Sequence, residues 1–267
     1  MILQPLDTVD NKAIRRMRHL LDSRTYRDKQ QLAVIEGVRL VEAALAAGVR
    51  FRDVVYSPRL VGTERGRSLL MRLQLLSDRM VYVTDRVLDT LSLVEADQGI
   101  MAAIPWSLPV HKTLPPLNDV LVVAWGVQDP GNLGTLIRSV HAAGFQAFAV
   151  TAGTVDTANP KVLRASAGSI FSLPIWRLEE GWLEEALKSG TTSIRATVVN
   201  GGQAYTDVDW MRPSVLLLGN EGNGLPAHLA QQTEAITIPM NPAANSLNVA
   251  VAGSVMVFHA AWQRRSH

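Results

Sequence analysis

Three stretches of the 267-residue chain combine glycines with side chains able to orient or polarise a bound group. The first, VQDPGNLGTLIRSVHAAGF (127–145), carries Asn132 and Arg138. An amide offers a donor and an acceptor without net charge, and a guanidinium offers a planar fork suited to phosphate. The second, VLLLGNEGNGLP (215–226), ends a hydrophobic run in a glycine-rich turn holding one acid, Glu221. Glycines there permit positive φ and close approach of backbone to a ligand. The third, IPMNPAANSLNVAVAGSVMVF (238–258), breaks at two prolines, presents Ser246 and Asn248, and continues as an apolar run of mostly small residues. Taken singly, each also has a purely architectural explanation. Asn132 suits a helix cap and Arg138 a solvated helix face. The glycine run suits a tight turn, Ser246 a cap whose hydroxyl is committed to backbone, and the small residues close helix packing.

The surrounding pattern gives these stretches a common position. VLVVAWG (120–126) reads as a buried strand leading into a helix over 131–144 and a strand over 145–150. Further strands are expected at 170–176, 193–199, 214–218 and 235–239. Helices are expected near 160–166, 179–188 and 246–263. Strands separated by helices imply a mostly parallel sheet covered on both faces, and such sheets bind ligands beyond the carboxyl ends of their strands. All three stretches fall at strand ends. The glycine order is G-x-x-G-x-G, not G-x-G-x-x-G, and no ribose-binding acid follows at the expected interval, so a dinucleotide-dependent enzyme is disfavoured.

The preceding hundred residues form a second α/β pattern. Residues 11–22 read as a helix with Ile14, Met17, Leu20 and Leu21 on one side. LAVIEG (32–37), 53–57, 80–84 and 99–104 read as strands, and 38–48 as a helix. PWSLPVHKTLPPLN (105–118) holds four prolines and little periodicity. The expected division is therefore a first domain over 1–106, a linker over 107–118 and a second domain over 119–267.

Composition narrows the chemistry. Hydrophobic residues make up 47% and charged residues 19%, which is a core-forming balance. The chain has no cysteine, which excludes disulfides, thiolate zinc sites, iron–sulfur clusters and a cysteine nucleophile. The six histidines are scattered without metal-ligand spacing, so no metal is expected. No signal pattern or membrane-length apolar run is present, and a cytoplasmic, soluble protein is the default expectation. Net charge is only +2, yet residues 11–29 hold seven basic and two acidic side chains.

The order N-L-G-T-L-I-R, L-G-N-E-G-N-G-L and I-P-M…S-L-N-V-A-V-A resembles the three motifs of the SpoU (TrmH-type) RNA 2′-O-ribose methyltransferases of the SPOUT class. AVIEGVRLVEAALAAG (33–48) is similar to their substrate-binding domain, itself related to a small ribosomal protein, so the resemblance spans nearly the whole chain. It implies a C-terminal trefoil-knot domain with a mostly parallel sheet, preceded by a small α/β RNA-binding domain. It also implies S-adenosylmethionine as cofactor and a homodimer with sites near the subunit interface. By position, Gly219, Ile238 and Leu247 would contact the cofactor, largely through backbone, while Asn132, Arg138, Glu221, Ser246 and Asn248 would form the catalytic surround.

Chemistry agrees with that assignment. A ribose hydroxyl must lose its proton as it attacks a sulfonium methyl group, so alignment and charge management dominate. Arg138 can hold a phosphate and favour the developing alkoxide, and Asn132, Ser246 and Asn248 can orient groups without adding charge. Whether Arg138 or a substrate phosphate takes the proton stays open at this level. The absence of cysteine disfavours covalent methylation of a base carbon, which needs a thiolate. The arginine-rich stretch offers Arg15, Arg16, Arg18, Arg24, Arg27 and Lys29 for an RNA backbone, with Lys12 and Arg39 as weaker candidates; a solvated helix face is the plain alternative. Ribosomal RNA is the first expectation for the substrate, transfer RNA the second, and a non-catalytic RNA-binding assembly factor the reading from another class.

Overall fold

A computed structural model describes residues 4–94 and 97–266. The chain divides into two compact units. One comprises Met1–Ser107 with Asp156–Phe171, the other Leu108–Val155 with Ser172–His267. The segment 156–171, which the sequence pattern places inside the second domain, thus groups with the first.

The first unit runs α1 (Lys12–Asp22), α2 (Arg24–Gln30), β1 (Leu32–Glu36), α3 (Val38–Ala46), β2 (Asp53–Tyr56), α4 (Pro58–Val61), α5 (Glu64–Leu73), β3 (Met80–Tyr82), α6 (Asp85–Asp89) and β4 (Ile100–Pro105). Its sheet has the order β1-β4-β2-β3, with β4 antiparallel to both neighbours and β2 parallel to β3. Asn11 caps α1 by accepting from the Ala13 amide at 2.8 Å. The helix buries Ala13, Ile14, Met17 and Leu20, and these pack with Val34, Val55 and Met101 of the sheet. Leu21, read as part of the same face, is only partly buried at the edge of that core.

The second unit begins inside the expected linker. Val110 and His111 form β5, paired in parallel with Arg177 and Leu178 of β8 (Ile175–Leu178). A two-residue strand flanked by prolines is tolerated because it lies at the sheet edge, where one row of amides needs no partner. The unit continues with β6 (Val120–Ala124), α7 (Pro130–Ala143) and β7 (Phe148–Val150). The chain then contributes α8 (Pro160–Ala165) to the first unit. After β8 come α9 (Trp182–Ser189), β9 (Ser193–Thr197), β10 (Gln203–Ala204), β11 (Ser214–Leu218), α10 (Ala227–Gln232), β12 (Glu234–Thr237) and α11 (Val249–Arg265). All eight strands are parallel, in the order β10-β12-β9-β11-β6-β7-β8-β5. Residues 170–176 do not form the expected strand. A 3₁₀ turn over Ser169–Phe171 precedes Pro174, which has no amide proton to give the ladder, and β8 starts only at Ile175.

The two central strands, β6 and β11, are buried along their whole length, as strands covered on both faces must be. α11 packs on α7, and the contact explains its slim composition. A Cβ at Gly253 would stand 2.5 Å from Leu136 Cδ2 of α7 and 2.7 Å from Leu218 Cδ1 of β11. One residue on, the Ser254 and Ser139 hydroxyls meet at 2.7 Å across the same seam. Gly253→Val is expected to cost about 1–3 kcal/mol through overpacking, read as a lower thermal or urea midpoint. An unchanged midpoint would mean that the two leucines yield freely.

Candidate active site

Three loops at the carboxyl ends of β6, β11 and β12 are joined through side chains. The loop after β6 turns into α7, where Pro130 occupies the first turn and Asp129 is the cap, accepting from the Asn132 amide at 2.7 Å. Asn132 is therefore not itself the cap, and its side chain is available elsewhere. Its Nδ2 donates to Glu221 Oε1 at 3.0 Å, and its Oδ1 accepts from Asn248 Nδ2 at 2.9 Å. Asn248 is the cap of α11, its Oδ1 accepting from the Ala250 and Val251 amides at 2.9 and 3.2 Å. This corrects the assignment of capping to Ser246: the helix starts at Val249, and Ser246 lies in the exposed loop before it with no hydrogen-bond partner among the described residues.

Glu221 is the hub. Besides Asn132, it accepts from the Gln128 and Asp129 amides, each at 3.1 Å. Partial burial would raise its pKa, but the hydrogen bond from Asn132 and those from the backbone outweigh it and hold the carboxyl below the ordinary glutamate range. A lowered folded value means these bonds are intact at neutral pH and are lost only as pH falls through that lowered value. A carboxylate so engaged is a weak base and an effective tether.

The glycine loop has a second anchor that sequence reading missed. Asn220 Oδ1 accepts from the Gly222 and Asn223 amides at 2.9 and 3.0 Å, while its Nδ2 donates to the Gly126 carbonyl at 2.8 Å. Reciprocal backbone bonds between Asn220 and Gly224 close the loop. Gly219 is required by this closure, since a Cβ there would lie 2.6 Å from Gly224 C and Leu225 N. An asparagine beside glycines is the ordinary signal of a side-chain-supported turn, and that signal was present at position 220.

A cavity of about 500 Å³ opens between the loops. Gly219, Glu221, Ile238, Ser246, Leu247 and Asn248 all line it. Its walls are otherwise mixed, with apolar Leu218, Met240 and Met256 beside polar Thr197, Asn220, Asn223 and Thr237, and its size is that of a small-molecule site. Arg138 is not among the lining residues. It lies six positions after Asn132 on α7, about 9 Å along the helix axis, exposed and without an ion-pair or hydrogen-bond partner among the described residues.

The residues expected at RNA have mixed fates. Arg15, Arg24, Lys29 and Lys12 are exposed; Arg15 and Arg24 make solvent-facing ion pairs with Asp10 and Asp28. Arg18 donates to Thr90 Oγ1 at 3.2 Å. Arg16 contacts the buried Asp53 at 2.5 Å. Arg27 has to be removed from the set. It is 6% exposed, pairs with Asp156 at 2.8 Å, and donates to the Leu20 carbonyl at 2.6 Å, all within the first unit. Its charge is consumed inside that unit's structure.

An all-parallel sheet ending in these linked loops places the second unit in the SPOUT methyltransferase class. A solved structure of an AdoMet-bound rRNA methyltransferase from Sinorhizobium meliloti matches the chain with a TM-score of 0.85 and 28% identity over 98% of each chain. Residues 119–258 match the model of the SpoU rRNA Methylase family, and residues 11–102 that of the MRM3-like substrate binding domain. The chain belongs to the SpoU rRNA methylase family. It is 33% identical to a Synechocystis protein described as an uncharacterised tRNA/rRNA methyltransferase, over 97% of this chain and 94% of that one. It is 30% identical to the Bacillus subtilis 23S rRNA (guanosine(2553)-2′-O)-methyltransferase RlmP, over 96% and 99%. No helix among the described residues is long and apolar enough to cross a membrane.

Proposed function

We propose that the chain transfers a methyl group from S-adenosylmethionine to the 2′-oxygen of a ribose in structured ribosomal RNA. The observation that carries this reading is the side-chain link from Glu221 through Asn132 to Asn248 at the rim of a strand-end cavity. The cavity's chemistry fits the cofactor: Leu218, Met240 and Met256 offer apolar wall for a purine, polar side chains lie beside them, and Gly219, Ile238 and Leu247 line it. When bound, S-adenosylmethionine supplies an electrophilic methyl group. Relatives named for ribosomal RNA 2′-O-methylation support the substrate class.

In this scheme Asn220 and Glu221 hold the glycine loop in its binding shape before the cofactor arrives. Asn132 and Asn248 keep the loop before α11 against the start of α7. Arg138 binds a phosphate of the target nucleotide and stabilises negative charge on the 2′-oxygen as its proton leaves, a role suited to a permanently charged guanidinium. Glu221 is a positioning residue, its carboxylate being fully engaged. Ser246 faces the reacting groups with an uncommitted hydroxyl.

The protein works in this reading as a cytoplasmic homodimer with a trefoil-knotted C-terminal segment. Val251, Val255, Phe258 and Trp262 support the dimer: spaced by three and four residues, they form one exposed apolar stripe on α11. Sedimentation showing a monomer at micromolar concentration would remove it. The knot rests on family resemblance, and a chain trace from a crystal with cofactor decides it.

The test of function is methyl transfer from labelled cofactor to unmodified large-subunit ribosomal RNA and to transfer RNA, with products digested to nucleosides. A 2′-O-methylnucleoside from the ribosomal RNA is expected; its absence from both RNAs would overturn the reading. Asn220→Ala is expected to weaken cofactor binding roughly tenfold, because the loop must then be ordered at the moment of binding. Calorimetry checks this, and an unchanged affinity would show that Glu221 alone suffices.

A further inference from the structure

The basic stretch that sequence reading assigns to RNA is partly engaged in ion pairs. Of its seven cationic side chains, Arg15, Arg16, Arg24 and Arg27 are each paired with an aspartate. A different face of the same unit carries a less neutralised cluster. α3 and α5 pack against one another, and they carry Arg39 and Glu42 on α3 and Arg65 and Arg72 on α5. Arg65 meets it with a two-pronged contact, Nε to Oε1 at 2.9 Å and Nη2 to Oε2. The Arg65 hydrogen bond, followed by its charge and those of Arg72 and Arg39, holds Glu42 below the ordinary glutamate range. Arg39 lies one turn before Glu42 on α3, so the Arg65–Glu42 contact joins the arginine-bearing faces of the two helices.

The charged side chains of α3 and α5 are Arg39, Arg65, Arg67 and Arg72 against Glu42 and Glu64, an excess of two positive charges. Arg39 and Arg72 are exposed and make no ion pair or hydrogen bond among the described residues. Arg65 and Arg72, seven positions apart, share one face of α5, with the exposed Ser68 between them. Guanidinium groups with free forks bind phosphate oxygens bidentately, and the hydroxyl adds a neutral donor. Glu42 holds only Arg65, and leaves the forks of Arg39 and Arg72 open.

We propose that the α3–α5 face, through Arg39 and Arg72 with Arg65 held beside them by Glu42, is a phosphate-binding surface for the substrate RNA. This rests on the RNA methyltransferase reading above and adds to it the place where the first unit grips the backbone. Phosphate contacts of this kind fix register and contribute affinity without reading sequence.

The test uses the full chain and in vitro transcribed large-subunit ribosomal RNA, with binding measured across a range of KCl concentrations. Arg39→Glu/Arg72→Glu is expected to lose roughly tenfold or more in affinity and to reduce the slope of log K against log salt by about 1–2, as two phosphate contacts would. Melting temperature and cofactor affinity should not move. Arg15→Glu/Arg24→Glu, which alters the α1–α2 stretch by the same charge, should have the smaller effect. Wild-type affinity and slope in the α3–α5 variant, with the parent protein binding and methylating the RNA, would overturn this surface and leave the enzyme reading intact. An equal or larger loss from the α1–α2 variant would also overturn it as the main grip. A parent protein that neither binds nor methylates that RNA would overturn both.

Discussion

Arg138→Ala is expected to lower the rate of methyl transfer by about 10²–10³-fold, the scale for removing one charge-stabilising donor, while cofactor affinity stays at the parent value. The separation follows from position. The cavity is lined by the loops after β11 and β12, whereas Arg138 stands two turns into α7, exposed and outside the lining. It has no ion-pair or hydrogen-bond partner among the described residues. Glu221, by contrast, accepts three hydrogen bonds and has its pKa held down by them. Exposure also means that the variant should fold normally, so melting temperature serves as the control. Arg138→Lys keeps the charge but loses the planar fork, and should recover only part of the rate. Single-turnover rates at saturating cofactor, with calorimetry for binding, check both variants. Parent-level turnover in Arg138→Ala would remove the residue from the chemistry.

What the residue pattern revealed, and what it concealed, follows from the range of the interactions involved. The strands flanking the site were legible because Val120–Ala124 and Val215–Leu218 are short apolar runs, each preceded by a polar residue and followed within two positions by glycine, a local property. The three motif stretches were legible as strand-end loops for the same reason, and six of the residues named from them line one cavity. Helix capping was less so: Ser246 and Asn248 are both competent caps, and the structure decides for Asn248, whose Oδ1 takes the Ala250 and Val251 amides while its Nδ2 reaches Asn132, 116 positions away. The slimness of α11 at Gly253 depends on two leucines from other elements. The pairing of β5 with β8 and the grouping of 156–171 with the first unit were hidden likewise, since each partner lies many residues away. The pairing within the basic stretch was hidden too, because charge in a sequence does not say whether an opposite charge is folded against it.

Arg27 makes that last point testable. Arg27→Ala is expected to destabilise the first unit by about 3–5 kcal/mol, the cost of leaving a buried ion without its partner. Asp156 would be stranded: its side chain is 9% exposed, and its remaining bond is from the Ala158 amide at 2.9 Å. The Leu20 and Leu21 carbonyls, which Arg27 Nη1 satisfies at 2.6 and 3.2 Å at the end of α1, would lose a donor as well. The sign of a compensating change separates charge from shape. Arg27→Met/Asp156→Leu removes both ions and restores apolar volume, so it should recover much of the loss, as buried pairs replaced by packed hydrophobes do. Arg24→Ala, three positions away and facing solvent in an exposed pair, should cost less than about 1 kcal/mol. Denaturant unfolding of the three variants reads these differences. If Arg27→Ala instead weakened RNA binding with its unfolding midpoint unchanged, the side chain would be a phosphate contact after all, and the buried-pair account would fail.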